Sequence, residues 1–451
     1  MSRMRSIAES DESGQIAVTT FEHDARRRLC RETRVAADPQ MWSHELSYTY
    51  DDNGNRRSEH RRYTLPPDEV FERNVTYVYD LDDPATYGTM QNRLMAVSGD
   101  ESRTYYYDED GNVWRIIEGS LRTDLEYDKM GRVWRAWGYN QGDDVLWAHE
   151  FRYAGARRRY LVRELDPDAW EWHDVRWSDY LGNSIWGDYT VDGGTATMTT
   201  RYVPGLWQTD LTPLGDDPPG APTTAFVHTN QLGTTRLLSD ESGSAVDLGV
   251  GSALQHYTAF GRPFIVDDDP PEGSSYALPT RYGYAGAWGY DSQSGIGALM
   301  HVGARYYDPR IGRFLQRDPI GISGGLNVYA YVENSPANRV DPSGHGFIDP
   351  FSPSGRRELD RMAGEAQRQH WERMHPPPAV PLPMPAKPLS PAQELERLKR
   401  DVYWVEGTGA LAGAISCGAT ALGVFLANVI DQLIHYDEPL NPLYGGSYED
   451  W

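Results

Sequence analysis

Two stretches decide the fold: Tyr105-Tyr-Tyr107-Asp108-Glu-Asp110-Gly111-Asn112-Val113-Trp114 and, twenty residues on, Leu125-Glu-Tyr127-Asp128-Lys-Met-Gly131-Arg132-Val133-Trp134. In each, an alternating aromatic–polar step reads as a strand with one buried face. Asp-x-x-Gly then supplies the positive-φ position of a tight turn, and Val-Trp begins the returning strand. One such word is therefore one β-hairpin, and a hairpin alone is marginal in water.

The word recurs outward from these two. It appears as Tyr48-Thr-Tyr50-Asp51-Asp-Asn53-Gly54-Asn55-Arg56, and as Tyr77-Val-Tyr79-Asp80 with Asn92-Arg93-Leu94 after an insertion. A worn copy, Phe21-Glu-His23-Asp24 with Arg28-Leu29, precedes them, and Phe151-Arg-Tyr153 follows. The aspartates at 24, 51, 80, 108 and 128 step by 27, 29, 28 and 20 residues. Stacked hairpins of this period bury one another's faces, which predicts an extended winding sheet. An ordinary β-sandwich is the alternative, and the regular return of Asp and Gly argues against it.

The composition agrees. The chain has 451 residues, with 44 Gly, 30 Pro, 29 Tyr and 14 Trp. That is rich in turn formers and aromatics, a mainly β signature. Lys plus Arg is 43 and Asp plus Glu is 66, a net charge of −23. A phosphate-neutralising face spread over the whole chain is thereby disfavoured, and no nucleic-acid partner is expected. Only Lys129, Lys387 and Lys399 are lysines. Cys30 and Cys417 lie too far apart in sequence to suggest a disulfide framework or metal cluster, and no cofactor is expected. The first residues, Met1-Ser-Arg-Met-Arg-Ser-Ile-Ala-Glu-Ser-Asp11, lack the apolar core of a secretory signal. Export or surface display would use a route without a cleaved signal, or an upstream piece.

The repeated word resembles the YD repeat of the Rhs family and of the related tripartite-toxin C components. The resemblance strengthens downstream, through His228-Thr-Asn-Gln-Leu232-Gly233-Thr234-Thr-Arg236 and Tyr257-Thr-Ala-Phe260-Gly261-Arg262. It is densest in Tyr284-Ala-Gly286-Ala-Trp-Gly-Tyr290-Asp291, Gly303-Ala-Arg305-Tyr306-Tyr307-Asp308-Pro309, Asp318-Pro319-Ile-Gly321, Asn327-Val-Tyr329-Ala-Tyr331 and Asp341-Pro342-Ser-Gly344. Residues 281–344 are close throughout to the Rhs repeat-associated core, and the resemblance covers roughly 20–345. It implies a β-ribbon wound into a partial, cocoon-like shell around a C-terminal cargo. The expected organisation is a disordered or partial lead-in over 1–19 and degenerate repeats over 20–220. The core follows over 221–345, then a variable tail over 346–451.

In the family, the Arg of the Arg-Tyr-Tyr word and the Asp of each Asp-Pro-x-Gly word form a self-cleaving aspartyl-protease site. These map to Arg305, Asp318 and Asp341. Two carboxylates brought together share a proton. The ionised one can activate water while the protonated one polarises the scissile carbonyl. An adjacent Arg can steady the oxyanion. Asp-Pro-x-Gly is also a good turn former in its own right, so from that motif alone a plain turn is the simpler reading. The family's cut follows the residue after the second motif, often Leu. Here that residue is His345, followed by Gly346, which makes His345–Gly346 the expected scissile bond. His345 as a catalytic base is a weaker reading than a solvated or hydrogen-bonded side chain. Trp114, Trp134 and Trp137 read as strand-packing residues, with a sugar-binding stripe as the alternative.

The tail carries nine Lys or Arg and fourteen Asp or Glu. Ser352-Pro353 opens an expected helix through about Met374, with Leu359, Met362, Ala363, Ala366 and His370 on one face. Residues 376–391 read as a Pro-rich linker. Ser390 caps a short helical start. Residues 407–430 contain no charge. At ~1.5 Å per residue that length suits a bilayer core of ~30 Å, and Gly409 and Gly413 make a G-x-x-x-G step. The two readings are a transmembrane or membrane-active helix and a Gly/Ala-rich helix packed in protein. His370 and His375 are a weak metal pair, and no metal site is expected.

The reading is thus an Rhs-type protein that encloses and delivers a variable C-terminal effector tail, with aspartyl autoproteolysis after the core. Its partners would be its own tail as cargo, a longer shell partner or an immunity protein, and a target membrane. The rival is a non-cleaving structural or adhesive surface protein that binds carbohydrate through its repeats.

Overall fold

A computed structural model describes residues 4–11, 14–38, 41–66, 69–80, 92–154, 158–181, 184–192, 194–211, 222–246, 255–263, 280–292 and 295–357. Residues 1–192 and 197–367 make one compact unit. The other unit, 193–196 with 368–451, lies almost wholly outside the described residues. The Pro-rich linker 376–391, the apolar segment 407–430, Cys417, His370 and His375 fall there as well. Among the described residues no helix is long and apolar enough to cross a membrane.

The protein is mainly β. Nineteen strands among the described residues, from Ser6–Asp11 to Thr235–Ser239, belong to one sheet. From Ser6–Asp11 to Ser184–Asp192 each strand pairs antiparallel with the next in sequence. The same holds from Thr195–Val203 onward. A second sheet of three short strands, Met300–Val302, Arg305–Asp308 and Arg313–Phe314, lies in the core segment.

Each repeated word is a hairpin, as its sequence predicts, and the turn chemistry explains its letters. Asp108 N–H donates to the carbonyl of Asn112 at 2.9 Å, and Asn112 N–H donates to Asp108 Oδ1 at 2.8 Å. Gly111 sits at φ 87°. Asp51 with Gly54, and Asp128 with Gly131, repeat this pattern. The carboxylate thus caps its own turn, while Gly takes the left-handed position that L side chains resist. The worn copy keeps the geometry without the glycine: Arg28 N–H donates to Asp24 Oδ1 at 2.9 Å, and Arg27 holds φ 71°. In the interrupted copy Asp80 still exchanges bonds with Arg93, and Asn92 takes φ 60°. The same turn recurs, unsignalled by the aromatic–Asp word, at Asn230–Thr234 and Asp240–Ser244.

A β-bulge follows the repeat. The register shifts at Thr49/Tyr50, Val78/Tyr79, Tyr106/Tyr107, Glu126/Tyr127 and Arg152/Tyr153, each time at the last aromatic of the word. Bulges bend a strand and increase its twist, so each of these copies carries its own local bend.

The buried face is both aromatic and charged. Leu46, Tyr48, Tyr63, Tyr284, Tyr290, Tyr307, Phe314 and Tyr331 form one cluster, and Tyr77, Tyr105, Val133, Phe151, Tyr306 and Leu315 belong to another. Both clusters mix repeat and core residues, so the core segment packs directly on the repeat sheet. Polar contacts fix it there: Tyr329 Oη donates to the Gly111 carbonyl at 2.7 Å, and Asn334 Nδ2 to the Gly54 carbonyl at 2.7 Å. Within the same interior, Glu59 takes Arg61 Nε at 2.6 Å, Arg56 Nη1 at 3.0 Å and Tyr77 Oη at 2.6 Å. Trp114 and Trp134 lie beside the Arg115 and Arg135 guanidinium groups, and Trp137 Nε1 donates to Glu126.

Candidate functional site

Arg305 opens the middle strand of the three-stranded sheet, which buries it against Phe314: the guanidinium carbon lies 3.6 Å from that ring's centroid. Its Nη1 donates to the Val328 carbonyl at 3.1 Å. Its Nη2 meets Asp318 Oδ2 at 3.1 Å and Asp341 Oδ2 at 3.3 Å. The three residues, thirteen and then twenty-three positions apart in sequence, therefore share one point. All three are buried, at 2, 6 and 2% exposure.

Both Asp-Pro-x-Gly words are turns, with Gly321 at φ 61° and Gly344 at φ 67°. Asp318 Oδ1 accepts Ile320 N–H at 3.0 Å, and Asp318 N–H donates to the Val328 carbonyl at 3.0 Å. Asp341 N–H donates to Tyr290 Oη at 2.7 Å, and Tyr290 lies within hydrogen-bonding distance of Tyr331. The turn reading and the convergent-acid reading are thus compatible: each turn aims its carboxylate at the same guanidinium.

The bond expected to break lies beside this pair. Asp341 Oδ1 accepts the N–H of His345 at 3.2 Å, the N–H of Gly346 at 3.1 Å and Ser343 Oγ at 3.1 Å. The loop that contains it is closed by Val340 and Ile348, which exchange backbone hydrogen bonds of 3.0 and 2.7 Å. A Cβ on Gly324 would lie 2.8 Å from the His345 carbonyl oxygen and closer still to Asp318 Oδ2, so those two oxygens flank the Gly324 backbone. The His345 side chain is not freely solvated: its Nδ1 is buried, without a hydrogen-bond partner, and 3.8 Å from Asp318 Oδ1.

The electrostatics separate the groups. Burial pushes the Asp341 carboxyl above its ordinary value, against the opposing pull of Arg305 and of the Gly346 and His345 amides. Burial likewise pulls Arg305 below its ordinary value, against Asp318 and Asp341. A buried carboxyl that holds its proton longer, beside a second carboxyl on one guanidinium, has the elements of an acid dyad. Among the described residues no group of three or more His, Cys, Asp or Glu could hold a metal ion.

Arg305, Asp318 and Asp341 were legible through the family resemblance. Tyr290, Val328, Ser343 and Gly324 were not: the Tyr290 and Ser343 hydroxyls reach Asp341 only once the chain is folded, and Val328 and Gly324 act through a carbonyl and through empty space. The Gly324-Gly325 doublet was the one sequence signal for the last of them.

No protein-family model matches the chain. It is 40% identical over 305 residues to the tRNA3(Ser)-specific nuclease WapA of Bacillus spizizenii, covering 66% of this chain and 9% of that protein. It is 37% identical over 120 residues to the toxin protein Tse5 of Pseudomonas aeruginosa, covering 27% of this chain and 8% of that one. Among solved structures, that of the TcdB2–TccC3–Cdc42 assembly aligns with a TM-score of 0.42 at 16% identity, covering 75% of this chain and 17% of that one. The chain spans about a tenth of the length of these two relatives. At that level, the chain is similar to toxin proteins of the Rhs type.

Proposed function

We propose that this chain is an Rhs-type β-shell protein that encloses and delivers a variable C-terminal segment, and that Arg305, Asp318 and Asp341 cut the chain between His345 and Gly346. The observation that carries this reading is the convergence of two buried carboxylates on Arg305, with the scissile Gly346 N–H and the preceding His345 N–H both donating to Asp341.

The chemistry follows from those positions. Asp318, held by Arg305, takes a proton from a water that attacks the His345 carbonyl carbon. A carbon–oxygen bond forms and the tetrahedral intermediate carries its charge on the former carbonyl oxygen, with Arg305 as the nearby cation. Asp341, whose carboxyl burial raises above its ordinary value, is assigned as the acid that protonates Gly346 N as the carbon–nitrogen bond breaks. The substrate is part of the same chain, so orientation replaces affinity. The cut would release, as cargo, the segment that begins at Gly346. An export or surface location, an immunity partner and a longer shell partner belong to this same reading.

The test is the intact mass of the purified chain in denaturant, beside Asp318→Asn and Asp341→Asn. Denaturant is needed because the Val340–Ile348 bridge spans the cut and would hold the two pieces together. Two fragments meeting at residue 345, absent from both variants, are expected. A single full-length wild-type species would leave the site as a structural clamp and favour a non-cleaving scaffold.

A further inference from the structure

Three glycines sit close together in the turn after Asp318, for different reasons. Gly321 holds φ 61° and Gly325 holds φ 145°, conformations that L side chains rarely adopt, and a Cβ on either would meet nothing within 4 Å. These two are glycines for the backbone. Gly324 is the reverse. It is not among the positive-φ residues, so alanine would suit its backbone. Yet a Cβ there would press on Asp318 Oδ2 and lie 2.8 Å from the His345 carbonyl oxygen.

Neither neighbour can step aside easily. Asp318 is fixed through Oδ2 by Arg305 and through Oδ1 by the Ile320 amide. The His345 carbonyl belongs to a backbone whose two amides, at 345 and 346, are tied to Asp341.

We infer that Gly324 is a positioning residue for chain cleavage: its missing side chain keeps open the approach between the Asp318 carboxylate and the His345 carbonyl. This rests on the cleavage reading above. A methyl group at 324 would displace one of the two by a fraction of an ångström to an ångström. Displacements of that size near a reacting bond cost rate steeply, on the order of a hundredfold.

The experiment follows cleavage by denatured mass after the full chain is refolded from denaturant, for wild type, Gly324→Ala and Gly325→Ala, with thermal unfolding and a pH–rate profile for each. The expected result is that Gly324→Ala folds, cuts roughly a hundredfold more slowly, and keeps the wild-type pH profile, because the acids are untouched and only their alignment has changed. Gly325→Ala is expected to lose stability through backbone strain yet still cut within a few-fold of wild type. Equal cleavage by wild type and Gly324→Ala would overturn the inference. So would a Gly324→Ala chain that does not fold, since the gap would then serve packing. Loss of cleavage in Gly325→Ala to the same extent would also overturn it, because any loosening of the turn would then suffice. An uncut wild-type chain would overturn the cleavage reading itself, a distinct outcome from the other three.

Discussion

The Tyr127 hydroxyl donates a 2.6 Å hydrogen bond to the carbonyl of Val113, the fifth residue after the preceding repeat aspartate. This bond recurs along the sheet. Tyr50 reaches Leu29, Tyr79 reaches Arg56 and Tyr153 reaches Val133, in each case five residues beyond the previous Asp. Tyr107 makes the same link to Leu94 across the interrupted copy. The aromatic letter of the word is therefore tyrosine because its hydroxyl staples one hairpin to the hairpin before it. These carbonyls lie where the bulge breaks the regular ladder, and a buried carbonyl without a donor is costly.

Tyr127→Phe should then destabilise the protein by about 1–2 kcal/mol, the usual cost of leaving a buried acceptor unpaired. Tyr106→Phe is the comparison, since Tyr106 is 41% exposed and should shift stability by less than ~0.5 kcal/mol. Urea unfolding of both variants measures the difference. Equal effects would mean that the ring, not the hydroxyl, carries the contribution.

The first repeat offers a prediction of opposite sign. Arg27 occupies the left-handed position that Gly54, Gly111 and Gly131 occupy in the other copies, and its side chain is exposed. A left-handed L residue costs ~1–2 kcal/mol, while glycine gives back a part through the entropy of the unfolded chain. Arg27→Gly should stabilise by about 0.5–1 kcal/mol net. A raised thermal midpoint is the expected readout, and a lowered one would show that the Arg27 side chain contributes more than its strain.

Much of this was legible in sequence because the repeat writes its own physics. Asp51, Asp108 and Asp128 announce capped turns, and the glycines three residues on announce the left-handed position. The bulge, the tyrosine staple and the charged interior were not legible. They depend on which strand lies next to which, and a sequence displays only neighbours in the chain. Likewise Arg305, Asp318 and Asp341 could be nominated through resemblance, but their convergence on one nitrogen depends on folding two separate turns against the same strand. Glu59 shows the limit most clearly: nothing within Arg56-Arg-Ser-Glu59-His-Arg61 marks it as interior, yet Glu59 is 5% exposed.

That buried carboxylate sets a pH dependence. Burial alone would raise the Glu59 pKa, but Arg61 and Arg56 outweigh it and hold the carboxyl at about 2. Its ordinary value is ~4.3. A carboxyl depressed on folding contributes stability that is present above the unfolded value and is lost as pH falls toward the folded one. Glu59→Gln should therefore cost about 3 kcal/mol at pH 7, because two buried guanidinium groups lose a charge partner. The gap between variant and wild type should narrow as pH falls from ~4.3 toward 2. Denaturant unfolding across that range tests both statements, and a gap that stays constant would place the effect in packing.

Cleavage should carry the opposite signature, because Asp341 is raised and not depressed. The proposed step needs Asp341 to hold a proton for Gly346 N, so its rate should fall as pH climbs through the raised Asp341 value. Burial is the first cause of that rise, and Arg305 opposes it. Arg305→Met, which removes the charge while filling the space, should thus move the alkaline limb to higher pH and slow the cut at every pH, since Asp318 and the oxyanion lose their cation. The measurement is the rate of fragment appearance after refolding into buffers from pH 5 to 8. A wild-type rate that rises with pH would make Asp341 a base and reverse the two roles. A rate indifferent to pH, and unmoved in Arg305→Met, would detach the cut from this pair of carboxyls altogether.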